Sequence, residues 1–413
     1  MATAAVPRPS ATLVVVREAG GALELLLLQR ADKGDQNSGA WVFPGGLVDA
    51  ADRDCHRACA GMDDAAASAR LGLTQGGLDF YVAAIRECFE EAGLLFAVDQ
   101  RDALVDLGGE AGARLAALRR PLHAGVCDFA LLCRDFGLRL APDLLFYIGH
   151  WVTPLGLPKR FDTRFFLAVL PDGQASLHDS VETLDQVWLR PAVALAPEHS
   201  LRLLQVTRNV IGLVGGFAGM DALLAWARSP REVPRVMQRR GIGSDGLRSL
   251  MPHEPAYAEV GRLDPHGEGT AWCELRPRTA VRLSPRVLRI TSASGHNSYL
   301  VGDAQRGWAA IDPGPADTAH GEALVAATGA SAIHWIPLAP QGVARGATVA
   351  LGPGTTLRMV GDPQDAAAPV CCLLVEEKTL FSGTMPPALA RQRLRPQDVE
   401  WIAPARGFLL AAP

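Results

Sequence analysis

The sequence predicts a two-part chain of mixed α+β and α/β class. Three observations carry this. A β-branched run is followed by an apolar run across a Gly-Gly turn. An amphipathic helix with an acidic face follows a Phe-Pro-Gly-Gly stop. The composition breaks at Ser229-Pro230, after which a second β-rich segment begins. At 413 residues the chain exceeds one ordinary hydrophobic core, so two domains are the natural expectation.

The elements read as follows. Ala11 to Val16 and Leu25 to Leu28 form a strand hairpin turned at Gly20-Gly21. Asp32 to Gly39 is polar and reads as loop, and Trp41-Val42-Phe43 is a short strand stopped by Pro44-Gly45-Gly46. Residues 50 to 78 are rich in Ala, Asp and Gly and read as a surface insertion. From Asp79, the positions Val82, Ile85, Phe89 and Ala92 recur at helical spacing, with Asp79 as the expected N-cap and Gly93 as the stop. Leu144 to Trp151, Arg164 to Leu170 and Val187 to Leu189 read as strands, and 200 to 228 as helix. The stretch from 229 to 284 reads as a long connection. A β-rich module is expected from 285 to 413.

Composition narrows the function. A net charge of −4 with 20% charged residues offers nothing to a general nucleic-acid binder, although a local basic cluster can still meet a small anion. The eight cysteines form no repeated Cys-x-x-Cys framework, which points to a reducing compartment. No run reaches the roughly 18 apolar residues of a membrane span. The N-terminus lacks the apolar core of a secretory signal, and the final Ala-Ala-Pro lends no support to an expectation of a peroxisomal address. The expectation is a cytoplasmic enzyme with no nucleic-acid or membrane partner; a homodimer stays open.

The acidic helix carries the chemistry. Glu87, Glu90 and Glu91 stand at i, i+3 and i+4 and share one face. Two unit charges about 4 Å apart repel by roughly 4 kcal/mol at an effective dielectric near 20. A hard divalent cation turns that repulsion into binding, because Mg²⁺ and Mn²⁺ take oxygen ligands. Such ions polarise phosphoryl oxygens and acidify bound water.

Gly46, and Arg86-Glu87-Cys88-Phe89-Glu90-Glu91-Ala92-Gly93-Leu94, resemble the Nudix box, Gly-x5-Glu-x7-Arg-Glu-U-x-Glu-Glu-x-Gly-U, with U a bulky apolar residue. The resemblance implies a Nudix α/β/α sandwich with a mixed sheet over residues 8 to 228. It implies catalytic roles for Glu87, Glu90 and Arg86, with Arg86 orienting a carboxylate. It also implies Mg²⁺ or Mn²⁺ held by Glu87, Glu90, Glu91 and the Gly46 carbonyl. Two departures stand out. Asp52 replaces the first glutamate, and residues 53 to 85 occupy the place of seven, so an insertion at about 53 to 78 splits the box. This split, with Phe-Pro-Gly-Gly-Leu-Val-Asp-Ala-Ala-Asp and Pro-Lys-Arg-Phe-Asp-Thr-Arg-Phe-Phe, is similar to the CoA diphosphatase branch (nucleoside diphosphate-linked moiety X motif 19 type).

That branch implies hydrolysis of CoA or acyl-CoA to 3′,5′-ADP and a phosphopantetheine. The alternatives are an ADP-ribose or nucleotide-sugar diphosphatase, or a nucleotide-binding sensor without catalysis. The retained Glu87, Glu90 and Glu91 favour the enzyme. Arg30, Lys159, Arg160 and Arg164 are candidates for the substrate phosphates, and Phe161 for its base. Glu87 and Glu90, with Glu182 outside the box, are candidates for the general base.

The C-terminal part also carries a resemblance. Asn297-Ser298-Tyr299-Leu300-Val301-Gly302, Ile311-Asp312-Pro313-Gly314, Leu380-Phe381-Ser382-Gly383 and Pro404-Ala405-Arg406-Gly407 look like a metallo-β-lactamase domain. The metal positions hold Leu338, Pro340, Gly342 and Val343, then the 361 to 365 loop, Thr384 and Arg406. Leu, Pro, Gly and Val side chains cannot ligate zinc, so a degenerate, zinc-free module is expected.

Overall fold

The computed structural model describes residues 5–31, 38–179, 183–305, 307–314, 317–330, 333–338, 346–361, 369–394 and 399–412. The chain divides into two compact units. One comprises Val6–Thr153 with Lys159–Val236, the other residues 154–158 and the chain from Met237 onward.

The first unit is built on strand β1 (Arg8–Ala19). It turns at Gly20-Gly21, both at positive φ, into β2 (Ala22–Arg30). Short strands β3 (Trp41–Val42) and β4 (Gly45–Leu47) pair with β2 and with β1 respectively. Helices α1 (Asp64–Leu71), α2 (Gly77–Ala92), α3 (Gly109–His123) and α4 (Phe129–Asp135) follow. Strand β5 (Phe146–Val152) then runs antiparallel to β6 (Phe161–Val169), and β6 runs parallel to β1. Strand β7 (Thr183–Leu189) pairs with β2, and helices α5 (Gln205–Gly215) and α6 (Met220–Arg228) close the unit.

Strand alternation makes this a three-layer sandwich. On one face Leu13, Val15, Leu26, Leu28, Phe166 and Ala168 pack against Tyr81, Val82, Ile85 and Phe89 of α2. On the other, Val14, Val16, Leu25, Leu27 and Leu167 pack against Val210, Ile211, Val214 and Leu223 of α5 and α6. Both faces of β1 and β2 are therefore buried, which is why these strands read as continuous apolar runs.

Several expectations need correction. Helix α2 begins three residues earlier than expected, with Gly76 rather than Asp79 as its N-cap; Asp79 lies in the first turn and binds Arg53 and His56 instead. The 200–228 helix is two helices bent by 109° at Gly216–Gly219, where glycines and a Phe interrupt the pattern. The 50–78 stretch is no loose surface insertion. It holds a 3₁₀ segment, Ala50–Ala58, and α1, and it buries Asp52, Cys55, Ala67, Ser68 and Leu71. Its small residues serve close packing: a Cβ on Gly77 would stand 2.3 Å from the Ser68 backbone nitrogen. The Ser68 hydroxyl accepts from Gly77 N–H, and the Asp64 carboxylate from Gly76 and Leu78 N–H. Thus α1 supplies the partners that the first turn of α2 lacks.

Among the described residues the second unit has two larger sheets. One includes Val287–Thr291, Asn297–Asp303, Gly307–Ile311 and Ile333–Ile336; the other includes Thr356–Val360, Cys371–Leu374, Thr379–Gly383 and Trp401–Pro404. Val287, Tyr299, Val301 and Ile311 of the first sheet share a core with Leu357, Met359, Cys372 and Phe381 of the second. Helix Thr318–Thr328 covers the first sheet through Leu324, and Ala390 of helix Pro387–Leu394 joins the outer core of the second.

Residues 229 to 284, expected as a connection, are largely integral to this unit. Strands Arg239–Gly243 and Gly246–Leu250 form a hairpin, and helix Tyr257–Leu263 buries Val260 beside Leu250, Ala271 and Cys273. Glu259 is fully buried, pairs with Arg289 and accepts Leu409 N–H. Polar composition hid this segment because its buried contacts are partly ionic. Among the described residues no single helix is long and apolar enough to cross a membrane.

Candidate active site

Helix α2 presents its acids where the chain from β4 comes closest. Gly45 N–H donates to the Glu91 carboxylate at 2.9 Å, which ties strand to helix. A Cβ on Gly46 would stand 2.4 Å from Glu87 Oε1, so a larger residue there would push the Glu87 carboxylate off its place on Arg86. The diglycine read in the sequence as a turn is here the strand β4, paired with Ala11 and Thr12 of β1.

Arg86 is the hub. Its Nε donates to Asp52 Oδ1 at 2.7 Å and its Nη2 to Asp52 Oδ2 at 3.1 Å, a bidentate pair. Its Nη1 donates to Glu87 Oε1 at 2.8 Å and to Glu90 Oε1 at 3.2 Å, and Nη2 also reaches the Leu47 carbonyl at 2.9 Å. Asp49 lies 3.7 Å away. Four carboxylates thus surround a single guanidinium, and negative charge is in excess.

The ionisation of the site reflects that excess. Burial pushes Glu87 up, the neighbouring Glu90 and Asp52 add to it, and Arg86 only partly opposes, leaving Glu87 at about 7. Burial also raises Glu90 and Asp52 against the pull of Arg86. Burial alone would lower Arg86, but Asp52, Glu87 and Glu90 outweigh it and hold the guanidinium firmly charged.

This donor set suits a hard divalent cation. Among the described residues no three His, Cys, Asp or Glu side chains converge into a complete cage. Mg²⁺ does not require one, because it takes one or two carboxylates and fills the remaining positions with water and substrate phosphate oxygens. Glu87 and Glu90, both in reach of one Arg86 nitrogen, meet that demand.

Beside the acids lies a cleft of about 350 Å³, lined by Asp52, Arg86 and Glu90 on one side and His123, Cys127 and Phe129 on another. None of the five substrate candidates lines it. Arg30 ends β2, and Lys159 is exposed. Arg160 is buried and donates to the Thr153 carbonyl at 3.1 Å; Phe161 opens β6 and is half-buried. Arg164 is buried against His150 and Asp162, with its guanidinium 5.2 Å from the Phe80 ring centroid. Burial would raise Asp162, but His150 and Arg164 prevail and hold it below the usual carboxylate range. Glu182 lies outside the described residues.

Sequence reading missed Arg119 and His123, which reach the acidic helix from α3. The available signal was the helical spacing of Leu115, Leu118 and Leu122, which places Arg119 and His123 one turn apart.

A family model for the NUDIX domain matches residues 6–112, and one for the NUDT19 Nudix domain matches residues 62–201. The class set by fold and acidic helix is therefore a Nudix hydrolase, an enzyme class that uses divalent metal ions. The human acyl-coenzyme A diphosphatase NUDT19 is 30% identical over 278 residues, covering 57% of this chain and 72% of the human protein. The Xenopus laevis protein of the same name is 27% identical over 214 residues, covering 44% of this chain and 56% of its own length. A crystal structure of a NUDIX hydrolase from Alicyclobacillus acidocaldarius superposes with a TM-score of 0.45 at 25% identity, covering 53% of this chain and 96% of that one. The chain belongs to the NUDT19 family of Nudix hydrolases.

Proposed function

We propose that the chain hydrolyses the diphosphate of CoA or acyl-CoA, giving 3′,5′-ADP and (acyl-)phosphopantetheine, with Mg²⁺ or Mn²⁺ held by Glu87, Glu90, Glu91 and the Gly46 carbonyl. The observation that carries this reading is the crowding of Asp49, Asp52, Glu87 and Glu90 on one guanidinium beside an open cleft. Two relatives named acyl-coenzyme A diphosphatase support the substrate class.

When bound, the metal supplies charge neutralisation at the diphosphate and acidifies a water. The chain's own residues prepare the rest. Arg86 fixes Asp52, Glu87 and Glu90 in place, so little reorganisation is needed as charge develops on the phosphate. Gly45 N–H anchors Glu91, and the missing side chain of Gly46 leaves room for Glu87. Asp52 is shorter than the family's glutamate and serves here as the bidentate partner of Arg86, a role supported by their two hydrogen bonds.

The test is incubation of the protein with CoA, acetyl-CoA, NADH and ADP-ribose, each with Mg²⁺ or Mn²⁺, and chromatography of the products. Release of 3′,5′-ADP from CoA or acetyl-CoA above the turnover of the other two is the expected outcome. Faster cleavage of ADP-ribose, or binding without cleavage, would replace this reading.

For the second unit we propose a reduced metallo-β-lactamase-like module acting in packing, dimerisation or substrate gating. Its support is the antiparallel pair Asn297–Asp303 and Gly307–Ile311 leading into Asp312, with Leu338, Thr384 and Arg406 where the resemblance would place metal ligands. Pro340, Gly342, Val343 and residues 362–365 lie outside the described residues. Stoichiometric zinc found by plasma mass spectrometry of the purified chain would overturn this.

A further inference from the structure

Helix α3 lies outside the Nudix box, yet it grips the box helix at Phe89 and Glu90. Its inward face is Gly112, Leu115, Arg119 and Leu122, at helical spacing. Arg119 is 7% exposed, so its guanidinium has little water to satisfy it. Its Nε donates to the Phe89 carbonyl at 2.9 Å and its Nη2 to the Glu90 carbonyl at 3.0 Å. Both carbonyls belong to the last turn of α2, an end that favours a cation, and the Phe89 carbonyl also accepts the Gly93 N–H at 3.0 Å.

One turn further along α3, His123 Nδ1 lies 3.3 Å from Glu90 Oε2. Glu90 Oε1 is held from the opposite side by Arg86 Nη1 at 3.2 Å. The backbone and both carboxylate oxygens of Glu90 are therefore each engaged by a different group. The His123 ring also lines the cleft that Arg86, Asp52 and Glu90 border, and its side chain is 29% exposed.

We propose that His123 is a positioning residue for Glu90, with Arg119 fixing the helix end that carries it, so that α3 belongs to the metal- and diphosphate-binding apparatus. This rests on the reading of Glu90 as a metal ligand. A carboxylate on a rotatable stem must be ordered before it can bind an ion, and that ordering costs free energy at each binding event. A partner that holds Oε2 pre-orders the side chain and leaves one face open to the cleft. Partners of this kind set metal affinity without touching the metal.

A purely structural contact would change melting and leave metal affinity alone, so the two roles separate. The experiment is Mn²⁺ titration of the full chain, followed by electron paramagnetic resonance, for wild type, His123→Ala, His123→Asn and Glu90→Gln, with thermal melting alongside. Asn keeps an N–H donor close to the position of Nδ1. The expected result is Mn²⁺ binding about tenfold weaker in His123→Ala and restored to within about threefold in His123→Asn, at unchanged melting temperature. Should the Ala variant not fold, His123→Phe keeps the ring, removes both nitrogens and carries the same expectation. Wild-type Mn²⁺ affinity in the nitrogen-free variant, with Glu90→Gln weakened, overturns the role of His123 and leaves Glu90 as a ligand. Wild-type affinity in Glu90→Gln overturns the ligand reading, and this inference with it.

Discussion

Replacing Glu90 by Gln is expected to lower kcat by at least about 10²–10³-fold while leaving the fold intact, and Glu91→Gln to do the same. The change removes one charge and no volume. At Glu91 the amide oxygen of Gln can still accept the Gly45 N–H, so the tie between β4 and α2 survives. At Glu90 the amide can still accept from Arg86, so the cleft keeps its shape. What is lost is negative charge facing a divalent ion and, through it, a diphosphate. An interaction that matters mainly as charge develops shows itself in kcat rather than in KM. Steady-state rates on CoA, with circular dichroism and thermal melting as fold controls, decide the matter. Wild-type rates in either variant would remove that residue from the metal site.

How much of this was readable beforehand follows from how far apart the cooperating residues stand in the chain. Glu87, Glu90 and Glu91 are neighbours on one turn, and their shared face follows from helical geometry alone. The strands around Val14 and Leu27 announced themselves by continuous apolar runs. Asp52 and Arg86, by contrast, meet across 34 positions of which most are insertion, and nothing local predicts their bidentate pair. The same holds for His123 and Glu90, 33 positions apart on different helices. Residues 229–284 were misread for a related reason. Periodicity reports apolar burial, whereas part of this segment is fixed through the Glu259–Arg289 pair, and a buried charge pair leaves no hydrophobic pattern. The insertion was misread because Ala67, Ser68 and Gly77 achieve close approach by being small, and small residues look like solvent-facing filler.

Replacing Arg86 by Ala is expected to cost about 3–5 kcal/mol of stability near pH 8, because it strips the partner from several buried carboxylates at once. The size of the effect should depend on pH, and its direction can be worked out. In the wild type Glu87 sits at about 7, above the 4.5 of an ordinary glutamate. The folded state therefore holds on to this proton more strongly than the unfolded chain. Stability from this group is full below 4.5 and is lost as pH rises through 7. Without Arg86, the attraction that now lowers Asp52, Glu87 and Glu90 disappears, and all three rise further. The variant then suffers most where these groups are ionised, and least where protons take over the role of the guanidinium. Denaturation at pH 8 and pH 5 should show a gap to wild type that is large at the higher pH and clearly smaller at the lower. Divalent cation added at pH 8 should narrow the gap as well, since an ion that binds only the folded state stabilises it by mass action. Arg86→Lys should recover only part of the loss, because an ammonium cannot reproduce the fork that meets both oxygens of Asp52. A gap of equal size at both pH values, untouched by metal, would mean that Arg86 acts through packing and that the acids beside it are not an electrostatic unit.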